Sequence, residues 1–129
     1  PYDGISAMLE RLKTAGIQMA VYSNKADEFS QVIIRRYFPD TFVLVRGKVD
    51  GVPVKPDPTG VRAVLAELGA DVQTTLFVGD SAVDIQTAHN AELMACGVTW
   101  GFRGQEELEA AGADLLVDTA AQLERVIMG

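Results

Sequence analysis

The chain has 129 residues, enough for one domain with a buried core and too few for two. Apolar residues make up 48% and charged residues 22%, and eighteen acidic against eleven basic side chains leave a formal charge of −7 with no run of like charge to account for it. Such a field disfavours nucleic acid and anionic lipid as partners, and the single cysteine, Cys96, excludes an internal disulfide and a zinc cluster.

Ile5, Met8, Leu9 and Leu12 recur at helical spacing, with Gly16 placed as a stop. Gln18–Ser23 is a short apolar run ending in polar residues, the pattern of a buried strand. Phe29, Val32, Ile33 and Tyr37 mark a second amphipathic helix, closed by Pro39, and a second strand follows at Phe42–Val45. Lys48–Val54 contains Gly51 and predicts an excursion, read as a small hairpin. Asp57-Pro58 is a helix start, Asp as the cap and Pro in the first turn; Val61, Val64, Leu65 and Leu68 form the inner face, and Gly69 ends it.

Thr75–Val78 predicts a third strand, and Gly79-Asp80 leads into a helix from about Val83 to Asn90. Leu93–Val98 and Leu115–Val117 predict the fourth and fifth strands, with helices at about Gln105–Ala111 and Ala120–Met128. This alternation predicts an α/β fold with a parallel sheet covered on both faces. The longest apolar stretch, around Leu93 to Phe102, is far short of a membrane span. The start at Pro1 lacks a signal-peptide pattern and an initiator Met, so the expectation is a cytoplasmic protein, processed or truncated at its N-terminus.

In an open parallel sheet, ligands bind beyond the carboxyl ends of the strands. Ser23-Asn24 follows the first strand, Gly79–Asp84 follows the third, and Lys55 lies just before the helix that leads to the third. Ser23 alone reads first as a cap for free backbone N–H groups; the functional alternative is a hydroxyl and helix N-terminal amides holding a phosphate oxygen. Lys55, between Val54 and Pro56, could place a point charge on a phosphate. Asp80 and Asp84 fall on one side of a helical turn. Two carboxylates about 6 Å apart repel by roughly 3 kcal/mol at an effective dielectric near 20. A bound cation relieves that, and an oxygen-only ligand set suits Mg²⁺. The alternative is that Asp84 or Ser81 merely caps the helix. His89 and Cys96 read as structural, the thiol as buried and inert. Trp100, Phe102 and Arg103 could line a pocket mouth, although packing is the plainer role for the two aromatics.

Together, Val21-Tyr-Ser-Asn-Lys25, Lys55-Pro-Asp-Pro58, Gly79-Asp-Ser-Ala-Val-Asp84 and Gly97-Val-Thr-Trp-Gly-Phe-Arg103 resemble the haloacid dehalogenase-like phosphohydrolases. In detail they are closest to phosphoglycolate phosphatases and their relatives. The resemblance covers essentially the whole chain and implies a Rossmann-like three-layer α/β/α core. It implies that Ser23 binds the phosphoryl group with the Asn24 amide assisting. Lys55 would neutralise phosphate and an aspartyl-phosphate. Asp80 would ligate Mg²⁺, and Asp84 would act through a water or orient Lys55. The substrate would be a small phosphorylated metabolite, with neither nucleic acid nor membrane involved.

The family's first motif, Asp-x-Asp-x-Thr, is missing: no Asp-x-Asp occurs in the sequence. The cap domain that normally follows it is missing too. Residues 1–129 therefore resemble the portion of the core that resumes after the cap, catalytically incomplete by itself. In the family, the absent strand lies between those ending at Ser23 and Val78. Its slot is expected to be filled by an N-terminal segment, by a second chain, or by closure of the two edges onto each other. Another phosphatase or phosphomutase of the superfamily is an alternative, as is a phosphate-binding relative that has lost catalysis. A receiver-type signalling domain fits worse, because it places its acidic pair first and its lysine last.

Overall fold

The computed structural model describes residues 4–100 and 104–129. Six helices, α1 (Ile5–Thr14), α2 (Asp27–Tyr37), α3 (Thr59–Leu68), α4 (Ala82–Asn90), α5 (Gln105–Ala110) and α6 (Ala120–Met128), alternate with five strands. The strands are β1 (Ala20–Ala26), β2 (Leu44–Lys48), β3 (Leu76–Gly79), β4 (Met94–Val98) and β5 (Leu115–Val117). Every pairing is parallel: β1 with β2, and β3 with β4 with β5.

Strand β4 shows why the second sheet needs helices on both sides. Leu93 and Ala95 join a core with Val61 and Leu65 of α3, Ile85 and Ala88 of α4, and Leu108 of α5. Cys96 and Val98 turn to the opposite core, with Met8 and Leu12 of α1 and Leu123 of α6. This alternation of faces, with a helical layer on each, is the expected three-layer arrangement. The helix ends carry their own signals. Ser81 Oγ accepts from the Asp84 N–H, and Thr119 caps α6 by accepting from Gln122 N–H. Asp57 Oδ1 accepts from Thr59 N–H at 2.8 Å, so the predicted cap acts from two residues before the helix, with Pro58 in the cap position itself.

Several expectations are corrected. The parallel strands form two sheets rather than one, because β1 and β3 do not pair among the described residues. Closure of the two edges onto each other is thereby ruled out. A groove of about 1320 Å³ runs between them, with Tyr22 of β1, Leu76 and Phe77 of β3, Met8 of α1 and Val61 of α3 among its walls. The segment after β2 forms turns, not a hairpin, among the described residues. A short 3₁₀ turn at Val72–Thr74, capped by Asp71, was not anticipated.

Strand β1 also outruns its predicted end at Ser23. Between the pairs Tyr22↔Arg46 and Ala26↔Lys48 it spends three residues against one on β2. The surplus puts Ser23, Asn24 and Lys25 in a bulge at the end of the sheet. Where the ladder lapses, Asp27 Oδ1 accepts the Gly47 N–H at 2.8 Å. A side chain at Gly47 would meet the Lys25 carbonyl at 2.5 Å and Asp27 Cα at 2.6 Å, so only glycine lets the bulge close on β2.

Candidate active site

At the carboxyl end of β3, the chain leaves the sheet through Gly79 and Asp80 and enters α4 at Ala82. Asp84, one turn into α4, folds back on this corner: its Oδ2 accepts the Asp80 N–H at 3.0 Å. The corner is tight enough that a Cβ on Gly79 would collide with the Asp84 side chain, including Cγ and Oδ2 at 2.6 Å. Glu107 of α5 braces the same turn, its Oε2 accepting the Ala82 N–H at 2.8 Å.

Lys55 reaches this corner from the loop between β2 and α3. Its Nζ lies 2.6 Å from Asp84 Oδ1, with the two side chains only 12% and 11% exposed. The same ammonium stands 6.0 Å from the centre of the Tyr22 ring, a weak cation–π contact. Tyr22 in turn packs its hydroxyl against Gly60, where any side chain would overlap it. Burial, and secondarily the charge of Asp57, raise the Tyr22 phenol above its ordinary pKa, so it remains a neutral wall.

Tyr22, Lys55, Gly79, Asp80, Asp84 and Val98 surround a pocket of about 270 Å³. A water molecule takes roughly 30 Å³ in the liquid, so a small anion and several waters fit. Of the residues expected at the site, Lys55, Asp80 and Asp84 meet here. Ser23 does not line the pocket; its Oγ accepts the Lys25 N–H at 3.1 Å within the bulge. Asn24 is absent from the wall too and contacts Lys55 instead, its Oδ1 accepting the Lys55 N–H at 2.9 Å.

The two carboxylates do not need a metal to coexist, because Lys55 already neutralises Asp84. Asp84 spends one oxygen on Lys55 and the other on Asp80 N–H. The Asp80 carboxylate accepts no hydrogen bond among the described residues. With one cation and two anions, the pocket is net negative and would repel a phosphate dianion. A divalent cation at Asp80 reverses that balance. No cluster of three or more His, Cys, Asp or Glu ligands occurs among the described residues.

Residues 1–98 match the haloacid dehalogenase-like hydrolases. The chain belongs to that family. It is 33% identical over 120 residues to a phosphoglycolate phosphatase of Pectobacterium atrosepticum, covering 92% of this chain and 51% of that protein. It is 34% identical over 131 residues to an N-acetylmuramic acid 6-phosphate phosphatase of Pseudomonas aeruginosa, covering 98% and 57%. A crystal structure of a candidate phosphoglycolate phosphatase from Lactobacillus delbrueckii superposes with a TM-score of 0.94 at 38% identity, covering 98% of this chain and 53% of that one. The chain thus spans about half the length of the relatives it matches.

Within this haloacid dehalogenase-like framework, sequence reasoning passed over Tyr22, Asn90 and Glu107. Tyr22 stood within the Val21–Lys25 motif but was given no role of its own. Glu107 sits 25 residues from the N–H it caps, and no local pattern reveals such a contact. His89 and Cys96 take structural places. His89 Nε2 lies 3.0 Å from Asp114 Oδ2, and Cys96 is fully buried, which raises its thiol pKa. Trp100 packs beside the Met8–Leu12 core, whereas Phe102 and Arg103 lie outside the described residues.

Proposed function

We propose that residues 1–129 form the C-terminal portion of the core domain of a Mg²⁺-dependent phosphomonoester hydrolase of the phosphoglycolate phosphatase type. The observation that carries this reading is the meeting of Lys55, Asp84 and a free Asp80 carboxylate in one pocket at the end of β3. The relatives named for phosphoglycolate and for N-acetylmuramic acid 6-phosphate share a phosphomonoester, the group the pocket would accept. The site would act in the cytoplasm, where a lone buried thiol stays reduced. No helix among the described residues is long and apolar enough to cross a membrane.

Each residue's role follows from its geometry. Lys55, fixed by Asp84, presents a positive charge toward the pocket and neutralises a phosphate oxygen. Asp80 would hold Mg²⁺, which when bound screens the charge of the phosphate and polarises it. Asp84 keeps Lys55 aimed. Ser23 and the Asn24 N–H, in the bulge of β1, are offered as donors to a phosphate that extends past the pocket wall. The attacking carboxylate is not among these residues and would come from a strand seated between β1 and β3, supplied by an N-terminal segment or a second chain.

The test is hydrolysis of phosphoglycolate with Mg²⁺ by protein in which that strand is supplied. Lys55→Ala should lower kcat by about 100-fold or more, and Asp80→Asn should raise the Mg²⁺ concentration needed for half-maximal rate. Equal Mg²⁺ dependence in wild type and Asp80→Asn would remove Asp80 from the metal site.

A further inference from the structure

The charge on Lys55 acts only where its loop holds it, and that loop has no regular secondary structure. Two asparagine side chains from opposite sides of the groove supply what is missing. From the β1 bulge, Asn24 engages the Lys55 peptide twice: Oδ1 accepts the Lys55 N–H at 2.9 Å, and Nδ2 faces the Lys55 carbonyl at 3.5 Å. From the end of α4, Asn90 donates Nδ2 to the Pro56 carbonyl at 2.9 Å. Asn90 is itself tied down, since its main-chain carbonyl accepts from Arg62 Nη2 of α3 at 2.9 Å. An N–H on one side and carbonyls on the other fix the orientation of both amides without ambiguity.

We infer that Asn24 and Asn90 are positioning residues for Lys55, a two-sided clamp on the Lys55-Pro56 segment that sets the ammonium against Asp84. This deepens the hydrolase reading and rests on it for the use made of Lys55. The hydrogen bonds divide the labour. At Asn24 the short contact is the accepting one, so a carboxylate there still accepts the Lys55 N–H. At Asn90 only donation is used, so a carboxylate there faces the Pro56 carbonyl with nothing to give. Asparagine to aspartate is the same near-isosteric change with the same added charge at both positions, yet the clamp predicts opposite results.

The experiment is NMR observation of the Lys55 ammonium group in the 129-residue chain, whose exchange with water is slowed while it is held by Asp84. It is paired with titration of inorganic phosphate in the presence of Mg²⁺. Asn24→Ala, Asn90→Ala and Asn90→Asp should each lose the slowed Lys55 signal while backbone amide shifts in β4 and β5 stay in place. Asn24→Asp should keep the signal. Losing at least one anchoring hydrogen bond of about 1 kcal/mol, the two alanine variants should each bind phosphate at least about fivefold more weakly. Retention of the Lys55 signal in all four variants overturns the clamp, and so does identical behaviour of Asn24→Asp and Asn90→Asp. Should protein with the missing strand supplied bind no phosphate in the presence of Mg²⁺, the hydrolase reading loses its support, while the ammonium signal still decides the clamp.

Discussion

Gly79 shows how much of the site depends on a missing side chain. Asp84 folds so closely over it that even a methyl group has nowhere to go, and the atoms in the way belong to the carboxylate that holds Lys55. Gly79→Ala should therefore cost about 1–3 kcal/mol, the usual range for overpacking, and should move Asp84 off the Asp80 N–H. Urea unfolding reads the first effect, and an unchanged midpoint would mean that the corner relaxes freely. The importance of this position was visible in the sequence as a Gly-Asp pair ending an apolar run. The use of Asp84 was only half visible. Spacing places two carboxylates on one side of a turn, but it cannot show that a lysine 29 residues away pairs with Asp84. The use of the Asn24 side chain was hidden for the same reason: its partner is the Lys55 main chain, which no side-chain pattern discloses.

The elements themselves were legible because each has a local cause. Helices α1 and α3 follow apolar spacing and end signals, and each strand begins on an apolar run. Strands β1 and β2 nevertheless continue into polar residues, β2 from Leu44 to Lys48 where Phe42–Val45 was expected. What could not be read was where long-range contacts overrule a local ending, as when β1 continues through a bulge because Gly47 and Asp27 accommodate it. The junction of α4, β4 and β5 is another such place. Asp114 Oδ2 accepts the Ala95 N–H at 2.8 Å and meets His89 at 3.0 Å. The Ala95 N–H, and then His89, lower the Asp114 pKa below the ordinary carboxylate value. A depressed folded-state pKa gives stability that is present above the unfolded value, about 3.9, and is lost as pH falls through the folded one. Asp57 and Glu124, with pKa values also lowered, add to the loss in the same direction. Asp114→Asn keeps an oxygen for the Ala95 N–H but cannot titrate. Its urea midpoint should fall less between pH 6 and pH 3 than that of wild type. Parallel curves for the two proteins would show that Asp114 is not coupled to folding.

The whole molecule is two parallel sheets flanking an open slot, and the physical chemistry of the slot makes its own demand. Strands β1 and β3 each turn an unpaired edge toward it among the described residues, and a strand edge left dry loses about 1 kcal/mol or more for each unsatisfied N–H or C=O. Water can satisfy those groups, but water also wets Tyr22, Phe77 and Leu76 along the walls. A single inserted strand resolves both problems at once. It pairs with β1 on one side and β3 on the other, and its alternate side chains cover the α1 and α3 walls. The same insertion would deliver a residue at its carboxyl end beside Lys55 and Asp80, so stability and catalysis would be completed together. The chain by itself should accordingly bind a hydrophobic fluorescent dye in the native state and be open to edge pairing. When the strand is supplied, from upstream coding sequence or as a peptide, dye binding should fall and the urea midpoint should rise by the equivalent of a few kcal/mol, from several new ladder hydrogen bonds at about 1 kcal/mol each. A scrambled peptide of the same composition is the control, because it preserves hydrophobicity and loses the alternation. If the scrambled and ordered peptides protect equally, the slot is only a sticky surface, and the source of the attacking carboxylate must be sought elsewhere.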